Sequence, residues 1–265
     1  MTTKKYILTE ETKEVQGVTL HRIIALRDFS DIKTGILGGW IEREENLSHE
    51  GNAWVCGDAK VYGNAKVCGD AEVWGDAKVC GNAEVYGNAK VWGDAWVCGD
   101  AKVCGNAEVC GDAEVWGDAK VYGNAKVYGN AEVYGNAKVW GDAWVCGDAK
   151  VYGNAKVCGD AKVYGNAEVC GNAKVWGDAE VCGDAKVYGN AKVCGNADYI
   201  VFKNWWSSGR CFTWTRSNNK WKVGCFYGTG DELVKKAYAD SEKSGREYER
   251  VFRYVESILA EEDKK

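Results

Sequence analysis

A six-residue alternation of apolar and polar positions fills the middle of the chain. From Gly51 to Cys194, 144 residues follow one motif without interruption, which makes 24 hexads: Gly, Asp or Asn, Ala, then Lys, Glu or Trp, Val, and finally Cys, Tyr or Trp. Ala and Val lie two residues apart, so in an extended strand both point to one side and the variable residues point to the other. Each hexad therefore predicts one short strand with an apolar inner side.

The Gly-Asp or Gly-Asn step between hexads predicts a corner, because these residues adopt backbone conformations that most others avoid. One short strand and one turn cannot bury an apolar side alone, so the hexads must stack on one another. A 25th copy at 195–200 departs from the motif. The pattern predicts three regions: an N-terminal cap at 1–50, a solenoid at 51–197 and a C-terminal α+β module at 198–265.

This period resembles the hexapeptide repeat of left-handed parallel β-helices, in which three hexads form one triangular coil of eighteen residues. The resemblance implies an all-β solenoid of about eight coils with a core of stacked Val and Ala. At about 4.7–4.9 Å for each stacked strand, the prism would be roughly 38 Å long. Such a fold does not by itself assign a function.

The N-terminal region adds a second resemblance, to the cap of YdcK-like bacterial hexapeptide-repeat proteins. Residues 18–56 carry its motif: Asp28-Phe29, Gly38-Gly39-Trp40 and Asn46-Leu47-Ser48. Proteins of this type are common in phage and prophage sequences, so the resemblance implies a phage-related protein that acts on a host factor. They are usually called transferases by analogy of fold, which makes a hexapeptide-repeat acyltransferase the alternative function.

Eighteen residues per coil sort the outward side chains into three faces. On one face opposite charges mostly alternate, which suits a ladder of cross-strand pairs. Its members are Trp54, Glu72, Lys90, Glu108, Lys126, Trp144, Lys162 and Glu180. Another face carries a stripe of seven lysines interrupted only by Glu84: Lys66, Lys102, Lys120, Lys138, Lys156, Lys174 and Lys192.

The lysine stripe is a candidate anion-binding edge for phosphate, nucleic acid or an acidic partner. Its candidate binding residues are Lys102, Lys120, Lys138, Lys156, Lys174 and Lys192. The alternative is a solvated face that corner residues such as Asp100 and Asp118 partly neutralise. The net charge of −5 is too small to argue for nucleic acid.

The last position of each hexad holds 11 Cys, 8 Tyr and 5 Trp. Metal binding is not predicted, because only Cys80 and Cys98 follow each other on one face and no Cys-x-x-Cys occurs. The aromatic rows either bind a partner, as exposed apolar patches often do, or fill the outer surface with β-forming residues that stack. Association of the chain into a dimer or trimer therefore stays open.

The region after Asp198 predicts three strands and two helices. A hairpin turn is expected at Ser217-Asn218-Asn219, and capping boxes are expected at 229–232 and 244–247. Tryptophans alternate with basic residues in this region, which suits stacking on bases or sugars and contact with phosphates. The candidate binding residues are Trp205, Trp206, Arg210, Trp214, Arg216, Lys220, Trp221 and Lys222. The alternative is that most of these tryptophans pack beneath the helices.

Few residues with catalytic chemistry are present. Hexapeptide acyltransferases use a catalytic His, often with an extruded loop, but residues 51–197 contain neither. His21 and His49 lie in the cap, where we expect structural roles. No catalytic residue, cofactor or metal site is predicted.

The chain also lacks an apolar leader and a membrane-spanning run, so we expect a cytoplasmic protein with reduced thiols and no membrane contact. The sequence as a whole favours a non-enzymatic β-solenoid that acts as a scaffold or binding protein. Its expected partner is a protein or an anionic ligand, and nucleic acid is the less favoured choice.

Overall fold

A computed structural model describes residues 4–204 and 209–262 and shows a parallel β-solenoid. Strands eighteen residues apart pair in parallel and in register; Lys120 lies opposite Lys138, for example, and Val121 opposite Val139. This register confirms the eighteen-residue coil and the predicted sorting of side chains into three faces. We call each eighteen-residue step a rung, and each row of equivalent side chains along a face a column.

The paired face is formed by the first sheet, of eight strands. They are Trp54–Val55, Glu72–Val73, Lys90–Val91, Glu108–Val109, Lys126–Gly129, Trp144–Gly147, Lys162–Val163 and Glu180–Val181. The lysine face is formed by a second eight-stranded sheet. Its strands are Lys66–Val67, Glu84–Val85, Lys102–Val103, Lys120–Val121, Lys138–Val139, Lys156–Val157, Lys174–Val175 and Lys192–Val193.

The cap face is formed by the remaining sheet, which the N-terminal region extends to eleven strands. Its hexad strands are Lys60–Val61, Lys78–Val79, Trp96–Val97, Glu114–Val115, Glu132–Val133, Lys150–Val151, Glu168–Val169 and Lys186–Val187. The added strands are Tyr6–Val15, Val18–Ala25 and Leu37–Ile41. The last of these pairs in parallel with Lys60–Val61, so the solenoid has about nine turns, one more than the hexads alone supply.

The core of the solenoid is a stack of Ala and Val, and every Ala and Val of the 24 hexads is buried. The corners are glycines with φ between +63° and +74°, a region that side chains with a Cβ rarely adopt. Successive corners also touch: a Cβ added at Gly141 would lie 2.9 Å from the nitrogen of Gly159. At corners such as Gly141, glycine is therefore required for its conformation and for its small size.

The N-terminal cap satisfies carbonyl groups of the first coil, which has no earlier coil to bond with. Lys5 is buried and its Nζ donates to the carbonyl of Ala53 at 2.7 Å. The Asn46 side chain donates to the carbonyl of Ala65 at 2.9 Å. Burial lowers the pKa of Lys5 to about 8. The cap is thus built from donors, as this edge requires.

The opposite end of the solenoid exposes N–H groups, and acceptors from the following segment satisfy them. The backbone N–H of Glu180 donates to the Asn196 side chain at 2.9 Å. The N–H of Lys186 donates to the Thr213 hydroxyl at 2.9 Å, and that of Lys192 donates to Ser217 at 2.6 Å. The C-terminal module therefore closes the edge that would otherwise invite end-to-end pairing.

The C-terminal module has four antiparallel strands, where the sequence predicted three. They are Tyr199–Lys203, Cys211–Thr215, Lys220–Val223 and Phe226–Gly228. The third predicted strand is divided because the chain turns at Gly224, with φ +54°. Short 3-10 turns lie at Glu44–Asn46, Asn196–Asp198 and Arg216–Asn218.

Two helices cover this sheet: α1 (Gly230–Asp240) and α2 (Glu242–Glu262). The predicted capping box of α1 is confirmed, with Thr229 and Glu232 exchanging hydrogen bonds. The predicted cap at Ser244 is wrong, because α2 already begins at Glu242 and the Ser241 hydroxyl accepts from the N–H of Ser244. None of the described helices is long and apolar enough to cross a membrane.

Candidate anion-binding face

The lysine face carries like charges on consecutive rungs. Lys102 pairs with Glu84 at 2.8 Å, so the N-terminal end of the column is partly neutralised. The next five rungs all carry lysine, and parallel pairing places each beside the next: Lys120, Lys138, Lys156, Lys174 and Lys192. Within 4–204 and 209–262, no acidic group forms an ion pair with any of these five lysines.

Corner residues offer this column little compensation. On one side, Asp100 and Asp118 were expected to neutralise the stripe, but the later corners on that side are asparagines. These amides bond to one another along the axis, as in the Asn154–Asn172 step at 3.1 Å. On the other side Asp142, Asp160 and Asp178 follow the column. In the part of the chain described, none of them forms an ion pair with a lysine of this face.

The paired face draws on the same residue types but carries three lysines and three glutamates, and its charges cancel. Lys90 lies 3.8 Å from Glu72, Lys126 lies 3.3 Å from Glu108, and Lys162 lies 3.1 Å from Glu180. Each distance joins a lysine nitrogen to a carboxylate oxygen one rung away. The predicted ladder of opposite charges is therefore present on this face.

On the cap face, too, charges are paired or the surface is covered by other parts of the chain. Lys150 bonds to Glu132 at 2.7 Å, and Lys186 bonds to Glu168. At its N-terminal end the 6–25 hairpin packs over the face and buries Cys80. Hydrogen bonds from Cys98 and the Trp96 indole lower the pKa of Cys80 to about 6, but this thiol lies beneath the hairpin.

Aromatic residues at the last hexad position line the lysine face. Tyr122 and Trp140 stack on neighbouring rungs, with ring centroids 5.6 Å apart and planes 3° from parallel. Two shallow grooves flank this pair. One, of about 430 Å³, is lined by Tyr86, Lys102, Cys104, Lys120, Tyr122 and Lys138. The other, of about 420 Å³, is lined by Trp140, Lys156, Cys158, Lys174, Trp176 and Lys192. All six candidate lysines therefore lie together along one grooved surface.

Those C-terminal candidates that the structure describes are not gathered into a comparable site. Trp214 and Trp221 are only 2% and 1% exposed. They lie opposite each other on neighbouring strands, in the core beneath α1 and α2. This corrects the expectation that these two indoles form a stacking surface; they are core residues of the module. Trp205 and Trp206 lie outside the described residues.

The basic candidates of the module make different contacts. Lys222 lies over the ring of Tyr188 at 4.5 Å, and Arg216 donates to the carbonyl of Ala197 at 3.3 Å. Both contacts join the module to the solenoid. Lys220 is half-buried, and Arg210 borders a cavity of about 240 Å³ beside α1. Lys222 and Arg216 therefore help to hold the module against the solenoid, and Arg210 lies at the separate cavity beside α1.

The two histidines serve the N-terminal cap. His49 stacks on Tyr6 at 4.4 Å, and its Nδ1 accepts from the backbone N–H of Lys5 at 3.2 Å. The Nδ1 of His21 lies 3.3 Å from the carbonyl oxygen of Thr9. In the described residues no cluster of three or more His, Cys, Asp or Glu could hold a metal ion.

Sequence reasoning did not identify the two grooves of the lysine face. Each needs an aromatic residue, a Cys and another aromatic residue at eighteen-residue spacing, on the face that also carries the lysines. This signal is present in the sequence, but it appears only when the last hexad positions are sorted by face.

The sequence matches no family model. Among curated proteins it is similar to one described as "Uncharacterized acetyltransferase YdcK" of Escherichia coli (strain K12), with 42% identity over 60 residues. The matched segment covers 20% of this chain and 18% of the relative's length. The fold and this partial match support the resemblance to YdcK-like hexapeptide-repeat proteins.

Proposed function

We propose that this protein is a non-enzymatic binding solenoid whose lysine face holds an anionic ligand or the acidic surface of a partner. The observation that carries the proposal is the run of five lysines from Lys120 to Lys192, none of which forms an ion pair within the described residues. Like charges directly opposite each other on neighbouring strands destabilise a sheet. The paired face shows that the same repeat can place a glutamate beside each lysine, so the unpaired order is not imposed by the fold.

A ligand would supply the missing negative charge. The five lysines span four steps of about 4.8 Å, roughly 19 Å in all. Their fields add over the surface and attract phosphate or carboxylate groups. Because these side chains face solvent, the attraction weakens as ionic strength rises. The face is therefore suited to an extended or multiply charged anion.

A second candidate function is acetyl transfer, and the description of the similar E. coli protein favours it. Acyltransferases of this fold use a catalytic His, whereas His49 here stacks on Tyr6 and accepts a backbone hydrogen bond within the cap. Transfer would therefore require other groups. Acetyl-CoA turnover that is lost in a His49→Ala variant would favour this candidate over binding alone.

Heparin-agarose provides a direct test of the binding proposal. One variant carries Lys138→Glu, Lys156→Glu and Lys174→Glu on the lysine face. Its control carries Lys90→Glu, Lys126→Glu and Lys162→Glu on the paired face, and the change in net charge is the same. We expect the parent protein to be retained at low salt, and the first variant to elute at markedly lower salt than the control.

Equal elution of the two variants would contradict the proposal, because total charge and not the lysine face would then control retention. Failure of the parent to bind heparin at low salt would contradict it as well. Circular dichroism of all three proteins checks that each variant remains folded.

A further inference from the structure

Aromatic residues on neighbouring rungs of this solenoid form regular stacks. On the cap face Trp116, Tyr134 and Tyr152 follow one another with centroids 4.5 and 4.9 Å apart and planes within 5° of parallel. On the paired face Trp74 and Trp92 stack at 5.0 Å. A rung is therefore the natural spacing of stacked rings in this protein.

The grooves of the lysine face are interruptions of such a stack. Trp140 and Trp176 lie two rungs apart, about 9.6 Å along the axis, and Cys158 occupies the rung between them. A planar ring placed at that rung would lie one step from each indole, the spacing at which Tyr122 stacks on Trp140. Tyr86, Cys104 and Tyr122 repeat the arrangement three rungs earlier. We call these two places the ring slots.

The same order of residues on the cap face gives no open slot. There Cys170 lies between Tyr152 and Tyr188, but the two tyrosine hydroxyls meet at 2.9 Å and both bond to Glu168. Cys170 is only 6% exposed as a result. A glutamate at this place would also repel an anion. The ring slots differ because lysines surround them and, in the described residues, no carboxylate bridges their two aromatic side chains; Glu84, on the Tyr86 rung, pairs with Lys102 at 2.8 Å.

On the paired face, Cys110 and Cys146 also separate aromatic residues, but the neighbouring charges are already paired. Lys126 lies beside Glu108, and Lys162 lies beside Glu180. Across the described residues, an open aromatic slot and unpaired lysines coincide only on the lysine face. That coincidence specifies a ligand with a planar ring and a negative charge.

We infer that the ring slots bind nucleotides, with a base between the two aromatic side chains and its phosphate on the adjacent lysines. This inference rests on the proposed function and names the ligand class. Every base has a face that stacks on aromatic side chains, and a basic groove that follows the backbone completes such sites. The slots lie three rungs apart, about 14 Å, on a continuous row of lysines, so one short single strand can occupy both.

Isothermal titration calorimetry with two matched ligands tests the inference. One ligand is a short single-stranded oligodeoxyadenylate, and the other is an abasic oligomer of equal length, which has the phosphates without the rings. Each stacked base strengthens binding about fivefold or more. We therefore expect the parent protein to bind the oligodeoxyadenylate at least fivefold more tightly than the abasic oligomer at moderate salt.

Filling the slots with protein rings should remove this preference. In the test variant, Cys104→Tyr and Cys158→Tyr complete the stack on the lysine face and leave every lysine in place. The control, Cys110→Tyr with Cys146→Tyr, fills the equivalent positions of the paired face. Both variants should fold, because three aromatic residues already stack on consecutive rungs of the cap face.

We expect the test variant to bind both oligomers equally and the control to keep the parent's preference. Equal binding of both oligomers to the parent, or an unchanged preference in the test variant, would overturn nucleotide binding at the ring slots. Either result would leave the lysine face as an anion site. If neither oligomer binds the parent at low salt, the slots and the proposed function both fail.

Adenosine monophosphate distinguishes the two sources of the nucleotide. Binding of the free nucleotide to the parent, lost in the test variant, would support the slots as sites for single nucleotides. A preference for the oligodeoxyadenylate without binding of the monophosphate would support them as sites for a strand.

Discussion

The lysine face and the paired face share one backbone, one core and nearly one alphabet of outward residues, yet they offer opposite surfaces. On the paired face each lysine lies beside a glutamate, as in the Lys126–Glu108 pair at 3.3 Å. On the lysine face Lys138 lies between Lys120 and Lys156. In this solenoid the fold is specified by the invariant positions, and the surface chemistry by the order of a few residues along a column.

This difference also separates stability from function. Pairing on one face contributes a little to the free energy of unfolding, while repulsion on the other reduces it. A surface that lowers stability and has no partner within the described chain is the better candidate for contact with another molecule. The following predictions test whether the two faces differ only in the number and order of their charged residues.

The largest expected effect comes from a corner that both faces share. Gly141→Ala combines a φ of +74° with a Cβ 2.9 Å from the Gly159 nitrogen, so we expect it to lower the free energy of unfolding by roughly 2–3 kcal/mol. Gly183→Ala is the matched control, because its φ is +63° but nothing lies within 4 Å of the added Cβ. We expect a loss of about 1 kcal/mol there. Urea unfolding measures both losses; equal losses would show that the contact between corners has no effect.

A smaller effect, with opposite signs on the two faces, should distinguish them. Lys138→Glu places a carboxylate between Lys120 and Lys156, and should raise the free energy of unfolding by about 0.2–1 kcal/mol. Lys126→Glu removes an ion pair and places two carboxylates side by side, and should lower it by a similar amount. Thermal unfolding at low salt measures both changes, which should shrink at high salt. Changes of the same sign would contradict the comparison.

The smallest effect should be common to both faces and should appear at alkaline pH. Burial raises the pKa of Tyr122 on the lysine face above its usual 10.0. A hydrogen bond with Cys146, followed by burial, raises the pKa of Tyr128 on the paired face to about 12. Both tyrosines hold their protons more tightly in the folded protein. Their contribution to the free energy of unfolding is therefore complete below pH 10 and is lost as the pH rises above it.

Tyr122→Phe and Tyr128→Phe should therefore each lose less stability than the parent between pH 9 and about 11. The free energy of unfolding in urea at the two pH values is the quantity to compare. A benefit confined to one variant would mean that the faces differ in more than the number and order of their charges.

The hexad period was sufficient to predict the coil and the members of each face. Equivalent outward residues are spaced six apart, so the members of each face follow once three hexads make a coil. The N-terminal turn was not predicted, because strand Leu37–Ile41 has no hexad. It pairs through the N–H of Trp40, which donates to the carbonyl of Ala59 at 2.9 Å, and a Cβ at Gly39 would lie only 2.7 Å from that oxygen. The burial of Lys5 depends on carbonyl groups that only the assembled edge exposes.

The candidate site, like the fold, was predicted only in part. The six lysines follow from the period, whereas the ring slots depend on the parallel stacking of rings one rung apart, which the structure supplies. In the C-terminal module, Trp214 and Trp221 suggested a surface because aromatic and basic residues alternate there. Alternation in a strand with one covered face places the tryptophans inside and the basic residues outside.

The most direct test of the account is a crystal structure of the full chain with a short single-stranded oligodeoxyadenylate bound. We predict a base between Trp140 and Trp176 at the Cys158 rung, with its phosphate in contact with Lys156 or Lys174. A base between Tyr86 and Tyr122 would extend the result to the second ring slot. A ligand bound on the paired face or on the C-terminal module, with the lysine face empty, would contradict the account.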